Sequence, residues 1–279
     1  MPVDKEKKLK FNTEVAKLKK KAEEVYKIIK DLESKGEVEE ENLNLLKIRM
    51  AEKYVDLVSI YVGMSDLSMS LLEFKNESYL DTARKCLYKA IIILEEVVSN
   101  TVDMPLTENY ELLKSLEGIT DSEKLRLIRK IGYSISLLED RYGESSKWKW
   151  SFVELRGRYA VVAKNLFNFR EYQEKNDPRI EGFEERYDYL FLVKELLVDA
   201  SNRYREKYEL TNHTPDDMKK AIDLLRALKR IHLLFKEQGE VQNVSKRIEL
   251  WAQKLETDMK AKEKLQKEKL SKDYIKNKK

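Results

Sequence analysis

The chain has 279 residues, of which 42% are hydrophobic and 38% charged, with only four prolines and eight glycines. That balance supports real cores but carries too much charge for a compact sphere, and it fits long helices with one buried stripe and a wide wet face. The single cysteine, Cys86, excludes an intramolecular disulfide and a thiolate metal site, and its apolar neighbours mark it as a buried structural thiol.

Lys plus Arg is 55 and Asp plus Glu is 51, a formal charge of +4. The excess is uneven. Residues 260–279 hold nine lysines against Glu263, Glu268 and Asp273, and residues 1–35 hold eleven lysines against seven acids. An acidic body between basic ends suggests end-to-side contact with an acidic partner.

In chain order, residues 4–35 read as a first helix, with Phe11, Val15, Leu18, Ala22, Val25, Ile28 or Ile29, and Leu32 as its stripe and Gly36 as its stop. A long second helix is expected over about 39–75. Leu43, Met50, Leu57, Met64 and Leu71 fall seven apart, with Leu46, Ile60, Leu67 and Phe74 as a companion series broken by Lys53. Tyr54 and Tyr61 widen that face beyond a two-stranded seam, which favours bundle packing. A third helix over 77–100 has an apolar centre from Ala90 to Leu94. Pro105 interrupts the pattern, and a short helix follows over about 107–117. Thr120 and Glu123 form a capping box for a helix that Gly143 ends.

The next helix is expected over about 145–175. Trp148, Phe152, Leu155, Tyr159, Val162 and Leu166 share one face, and Trp150 points away from it. Asp177 and Pro178 predict a helix start, with the helix running to about Tyr208. Thr214 and Pro215 repeat the device for a helix ending near Gly239. Val244, Ile248, Trp251, Leu255 and Met259 anchor a last helix, over about 240–270.

Short turns make consecutive helices antiparallel neighbours. The expected fold is all-α: an elongated array of nine long antiparallel helices, as stacked hairpins or two bundles in series. The expected divisions are residues 1–104, 105–259 and a basic tail over 260–279.

Tests for chemistry return little. His213 precedes a helix cap and His232 follows Ile231 in a leucine-rich helix, and neither sits in a Glu-x-x-His or His-Glu-x-x-His pattern. Paired acids such as Glu23/Glu24 and Glu95/Glu96 have basic neighbours within helical reach and read as solvated faces. No glycine-rich phosphate loop follows a strand. The expectation is a non-enzymatic chain with no catalytic residue, metal or cofactor and no small-molecule substrate. Glutamates interspersed among the tail lysines, and the scarcity of arginine there, weigh against nucleic acid as the partner. No apolar run approaches 18 residues, so no integral membrane segment is expected. The start, MPVDKEKKLKF, has no hydrophobic targeting core, so the chain is cytoplasmic or is the processed form of an exported protein.

Protein recognition remains. Phe167, Phe169, Tyr172, Phe183, Tyr187, Tyr189 and Phe191 cannot all face one core from two antiparallel helices. The contact candidates are Trp150, Phe169, Tyr172, Tyr187 and Tyr189, with Lys267, Lys269 and Lys272 in the tail.

Two resemblances bear on this. Through Ala83, Ala90 and Leu94 in ARKCLYKAIIILEEVV, the chain resembles a tetratricopeptide-type adaptor, which implies a peptide or protein bound in a concave groove. Its long tyrosine- and lysine-rich helices, its breaks at Pro105 and Pro178, and the segment KWKWSFVELRGRYAVVAKNLFNF resemble the spirochaete flagellar-coiling proteins of the filament sheath. That second resemblance would cover most of the chain. It implies a periplasmic structural protein that coats a flagellar filament, within a larger assembly, and biases its curvature.

Overall fold

A computed structural model describes residues 5–38 and 42–276. Ten helices run along the described residues, and no strand occurs among them. The chain divides into two compact units, Met1–Val193 and Lys194–Lys279.

The first unit begins with three helices laid side by side: α1 (Lys5–Gly36), α2 (Leu43–Leu72) and α3 (Glu77–Val98). α1 packs on α2, and α2 packs on α3. The middle helix therefore buries residues on more than one side, including Ile48, Ala51, Val55, Leu57, Val62 and Met64. This placement bears on the expectation of no integral membrane segment. By length and mean hydropathy, 1.3 over its most apolar window, α2 would pass for a membrane span. Residues such as Asp56 and Asp66 break its apolar run without lowering that average much. Cover by α1 and α3 accounts for an apolar helix of that kind. By contrast α1 buries a single line of residues, Val15, Ala22 and Ile29, and leaves its lysines in water.

The α2–α3 turn is closed by local bonds. Glu73 adopts a left-handed conformation (φ 55), and its N–H and that of Phe74 donate back to Met69 and Ser68. The Ser68 hydroxyl donates to the Phe74 carbonyl at 2.8 Å, and the Asn76 side chain caps α3 by accepting from the Ser78 N–H. Phe74, expected in the buried seam, is past the helix end and 60% exposed.

α4 (Leu106–Lys114) leads to α5 (Asp121–Tyr142), whose start is the expected capping box with both reciprocal bonds formed. Ion pairs tie α5 to the first layer across the break at 101–106: Arg49 to Glu123 at 2.9 Å and Arg141 to Asp66 at 2.6 Å. The break expected at residue 104 thus lies within the first compact unit.

The segment 145–182 differs most from expectation. α6 (Lys149–Leu166) starts later and stops earlier than the periodicity predicts. Phe167 is extended (φ −80, ψ 129), and the Asn168 side chain accepts from the Glu171 N–H, capping a separate short helix, α7 (Phe169–Glu174). Asp177 does cap, but only a turn: its carboxylate accepts from the N–H of Arg179 at 2.9 Å and holds that residue's guanidinium. Gly182 takes positive φ (79), and α8 (Phe183–Leu210) begins there rather than at Asp177. A side chain hydrogen-bonding its own local backbone has outcompeted the helix start.

In the second unit, the C-terminal part of α8 stands with α9 (Pro215–Leu234) and α10 (Gln238–Lys276). Proline opens α9 as expected, with Asp216 and Asp217 in the first turn. α9 ends at Leu234, earlier than expected, because Lys236 turns left-handed (φ 59) and the N–H of Glu237 returns to the His232 carbonyl. Met218, Ala221, Leu225, Leu228, Val244 and Trp251 form the core of this unit together with Ala200, Tyr204 and Tyr208.

Candidate interaction surface

Aromatic residues of the first unit separate into a buried cluster and an exposed stripe. The break between α6 and α7 produces the cluster. Phe167 meets Phe169 edge-on at 4.8 Å between ring centroids, Tyr172 at 5.8 Å and Tyr189 at 5.3 Å. Phe169, Tyr172 and Tyr189 are all buried, and the Tyr189 hydroxyl donates to the Ala163 carbonyl at 3.1 Å. Burial pushes the Tyr189 phenol far above its ordinary value. Three of the expected contact residues thus have their partners inside the chain.

The stripe runs along the opposite face of the N-terminal part of α8. Phe183, Tyr187 and Phe191 are spaced by four residues and share one face. Phe183 stacks on Tyr187 at 6.3 Å, while Tyr187 and Phe191 are each 56% exposed. Glu184 and Asp188 flank the stripe and are exposed. Asp188 pairs with Arg129 at 2.7 Å, whereas Glu181 and Glu184 have no ion-pair partner among the described residues. Of the expected residues, Tyr187 belongs here. Phe191 was singled out only as part of a crowd; its four-residue step from Tyr187 was the signal that separates it from Tyr189.

Trp150 is half-buried, with the Lys149 ammonium 4.9 Å from its ring centre. Trp148, two residues earlier, is sandwiched more tightly. The Arg84 guanidinium stacks 3.6 Å from its ring centre and Tyr142 approaches edge-on at 6.5 Å. Lys267 is exposed on α10, and the side chains of Lys269 and Lys272 lie outside those described.

The clefts are open and shallow in chemistry. One of about 510 Å³ lies at the α5–α6 turn, between Glu77, Tyr142, Ser146, Lys147 and Trp148. Another, of about 260 Å³, lies in the second unit by Tyr208, His213, Asp258 and Met259. In it the Tyr208 hydroxyl donates to Asp258 at 2.8 Å, and His213 meets the Tyr208 ring edge-on. His232 is buried against Glu237. Among the described residues, no three His, Cys, Asp or Glu side chains gather as a metal would require. The arrangement is one of helix pairs presenting faces, which suits binding to other macromolecules.

No curated protein matches the chain. A family model does match, over residues 7–259, and its description is the TP0443 family. With nearly the whole described chain inside that match, the protein belongs to the TP0443 family.

Proposed function

We propose that this chain is a non-catalytic structural subunit that lies along a periplasmic flagellar filament, as part of its sheath, and influences the filament's shape. One observation carries the protein-binding part of this reading. The N-terminal part of α8 buries Arg186, Tyr189, Leu190 and Val193 on one side and leaves Tyr187 and Phe191 exposed on the other. Rigid aromatic side chains held in water at helical spacing anchor protein interfaces at small entropic cost. The flagellar part rests on the sequence resemblance, and the exported location follows from it.

The test is made in the native host. A chain carrying a small tag is placed by electron tomography with gold labelling, and a deletion strain is scored for filament curvature. Label along the filaments and straightened or altered filaments in the deletion strain support the reading. Label spread through the cytoplasm, with filament shape unchanged, overturns it.

A further inference from the structure

We infer that the α8 aromatic stripe receives the C-terminal part of α10 from a second copy of this chain, so that copies join head to tail. This rests on the structural-subunit reading and names one of its partners.

Two unsatisfied surfaces of opposite charge carry the inference. The first is the stripe of Phe183, Tyr187 and Phe191, with the unpaired carboxylates of Glu181 and Glu184 beside it. From Glu181 to Asp188 the sequence has four acids and one base, and that base, Arg186, is buried on the other side of the helix against Asp121. The second is the end of α10. Its last buried residue among those described is Trp251, yet the helix continues to Lys276. From Met259 onward it has seven lysines against Glu263, Glu268 and Asp273. Lys262, Lys264 and Lys267 are exposed and have no ion-pair partner among the described residues, and Met259 is 39% exposed.

A helix of 18 residues spans about 27 Å and covers the roughly 12 Å between Phe183 and Phe191 twice over. Apolar contact by Met259 and the lysine stems, with ammonium groups reaching the glutamates, matches such a surface. Each copy has one face and one tail, so a copy whose tail is docked on a neighbour still offers its own face to a third copy, and contacts made in this way propagate. A single helix on a narrow stripe buries less than a standard interface, which makes each contact weak and salt-sensitive. Copies aligned on a scaffold would multiply such contacts.

The experiment is sedimentation velocity of the full chain over increasing concentration, at low and at high salt. The face variant is Glu181→Lys with Glu184→Lys, and a second face variant is Tyr187→Ser with Phe191→Ser. The tail variant is Lys262→Glu, Lys264→Glu and Lys267→Glu. All these positions are exposed or at a surface, and circular dichroism checks their helicity. The wild type should form a ladder of oligomers that high salt weakens at least tenfold. Each variant alone should be at least tenfold weaker. The Tyr187→Ser, Phe191→Ser variant mixed with the tail variant should stop at one-to-one dimers, because each supplies the half that the other lacks, whereas the charge-reversed face variant mixed with the tail variant should form an alternating ladder. Combining the charge-reversed face and tail in one chain should restore the ladder. A wild type that stays monomeric throughout, a ladder indifferent to both variants, or mixtures without dimers overturn the inference. If filament labelling persists while the ladder is absent, only this inference falls; loss of labelling with the ladder intact strikes the flagellar reading instead.

Discussion

Arg186 donates to the Asp121 carboxylate at 2.9 Å with its own side chain only 5% exposed, fastening the start of α8 to the first turn of α5. The same guanidinium donates to the carbonyls of Glu181 at 3.0 Å and Lys175 at 3.3 Å. One side chain thus holds the whole irregular segment between α7 and α8, and with it the direction of the aromatic stripe. Asp121 also favours the α5 N-terminus by its charge. Removing one member of a buried pair strands the other, at a cost of roughly 3–5 kcal/mol. Arg186→Met should therefore lower the thermal midpoint of the first unit by several degrees. Asp121→Asn should cost less, because Arg186 keeps its two carbonyl partners. Gly182→Ala should behave like Arg186→Met: a Cβ there would lie 2.7 Å from the Arg186 guanidinium, on a backbone at φ 79. Equal midpoints for Arg186→Met and wild type in calorimetry would refute this role.

Gly132 leaves room for one hydroxyl. A Cβ at this position would meet Tyr159 Oη at 2.6 Å, and that hydroxyl donates to the Ile128 carbonyl at 2.8 Å within the α5–α6 core. Alanine favours a helix interior by up to about 1 kcal/mol over glycine. Forcing the buried ring aside costs roughly 1–3 kcal/mol, so the clash wins. Gly132→Ala should destabilise, and Tyr159→Phe alone should cost about 1 kcal/mol for the lost bond. Because removing the hydroxyl removes the closest clash, the double variant should be less destabilised than the two single losses added. The ring carbon at 3.2 Å stays tight, so it should not reach wild-type stability. Strict additivity in denaturant unfolding would contradict the proposed contact.

These two cases also mark what the sequence makes legible. The capping box at Thr120 and Glu123 was readable because both partners lie within four residues and bond to each other's backbone. Of the shared face read from steps of three and four, Phe152, Leu155, Tyr159, Val162 and Leu166 are buried, while Trp148 is half-buried just before the first residue of α6. The split of α6 from α7 was not readable. It depends on whether Asn168 caps a new turn or rides in a continuing helix, and both fit the same letters. That split decides the fate of the aromatics, since it brings Phe167 and Phe169 together with Tyr189 and leaves Tyr187 outside. Exposure of a given aromatic is a property of which helix covers it, and periodicity along one helix does not contain that.

Cys86 should be silent toward thiol reagents in the folded protein. It is 5% exposed on α3, and burial pushes its thiol above the ordinary value, with the nearby Tyr26 hydroxyl of α1 partly opposing the shift. The Tyr26 oxygen lies 3.7 Å from the sulfur. A thiol that is buried and protonated reacts only through opening of its cover. Maleimide labelling followed by mass spectrometry at neutral pH should show slow modification that becomes complete in denaturant. Val15→Ala or Ile29→Ala, which thin the buried line of α1, should speed labelling without changing the reactivity of the unfolded chain. Complete labelling of the native wild type within minutes would show the α1 cover to be open.

Glu237 is the polar knot of the second unit. Its carboxylate accepts from the Lys194 ammonium at 2.7 and 2.8 Å and contacts His232 Nδ1 at the turn between α9 and α10. Burial alone pushes this carboxyl up, but the bonds from Lys194 and His232 outweigh it and hold the acid below its ordinary value of 4.5. A carboxyl whose folded value is depressed stabilises the fold fully above its unfolded value. It loses that contribution as pH falls from about 4.5 through the lower folded value. Glu237→Gln should therefore destabilise the unit at neutral pH, by a few tenths to about 1 kcal/mol for a pair with one partly exposed partner. The gap between variant and wild type should shrink as pH is lowered below 4.5, because the protonated acid and the amide become alike. Lys194→Met removes the first of the two opposing bonds, so in a side-chain carbon titration the Glu237 midpoint should move upward. A gap that stays constant from neutral to acid pH, or a midpoint unmoved by Lys194→Met, would show that the ion pair does not hold this turn.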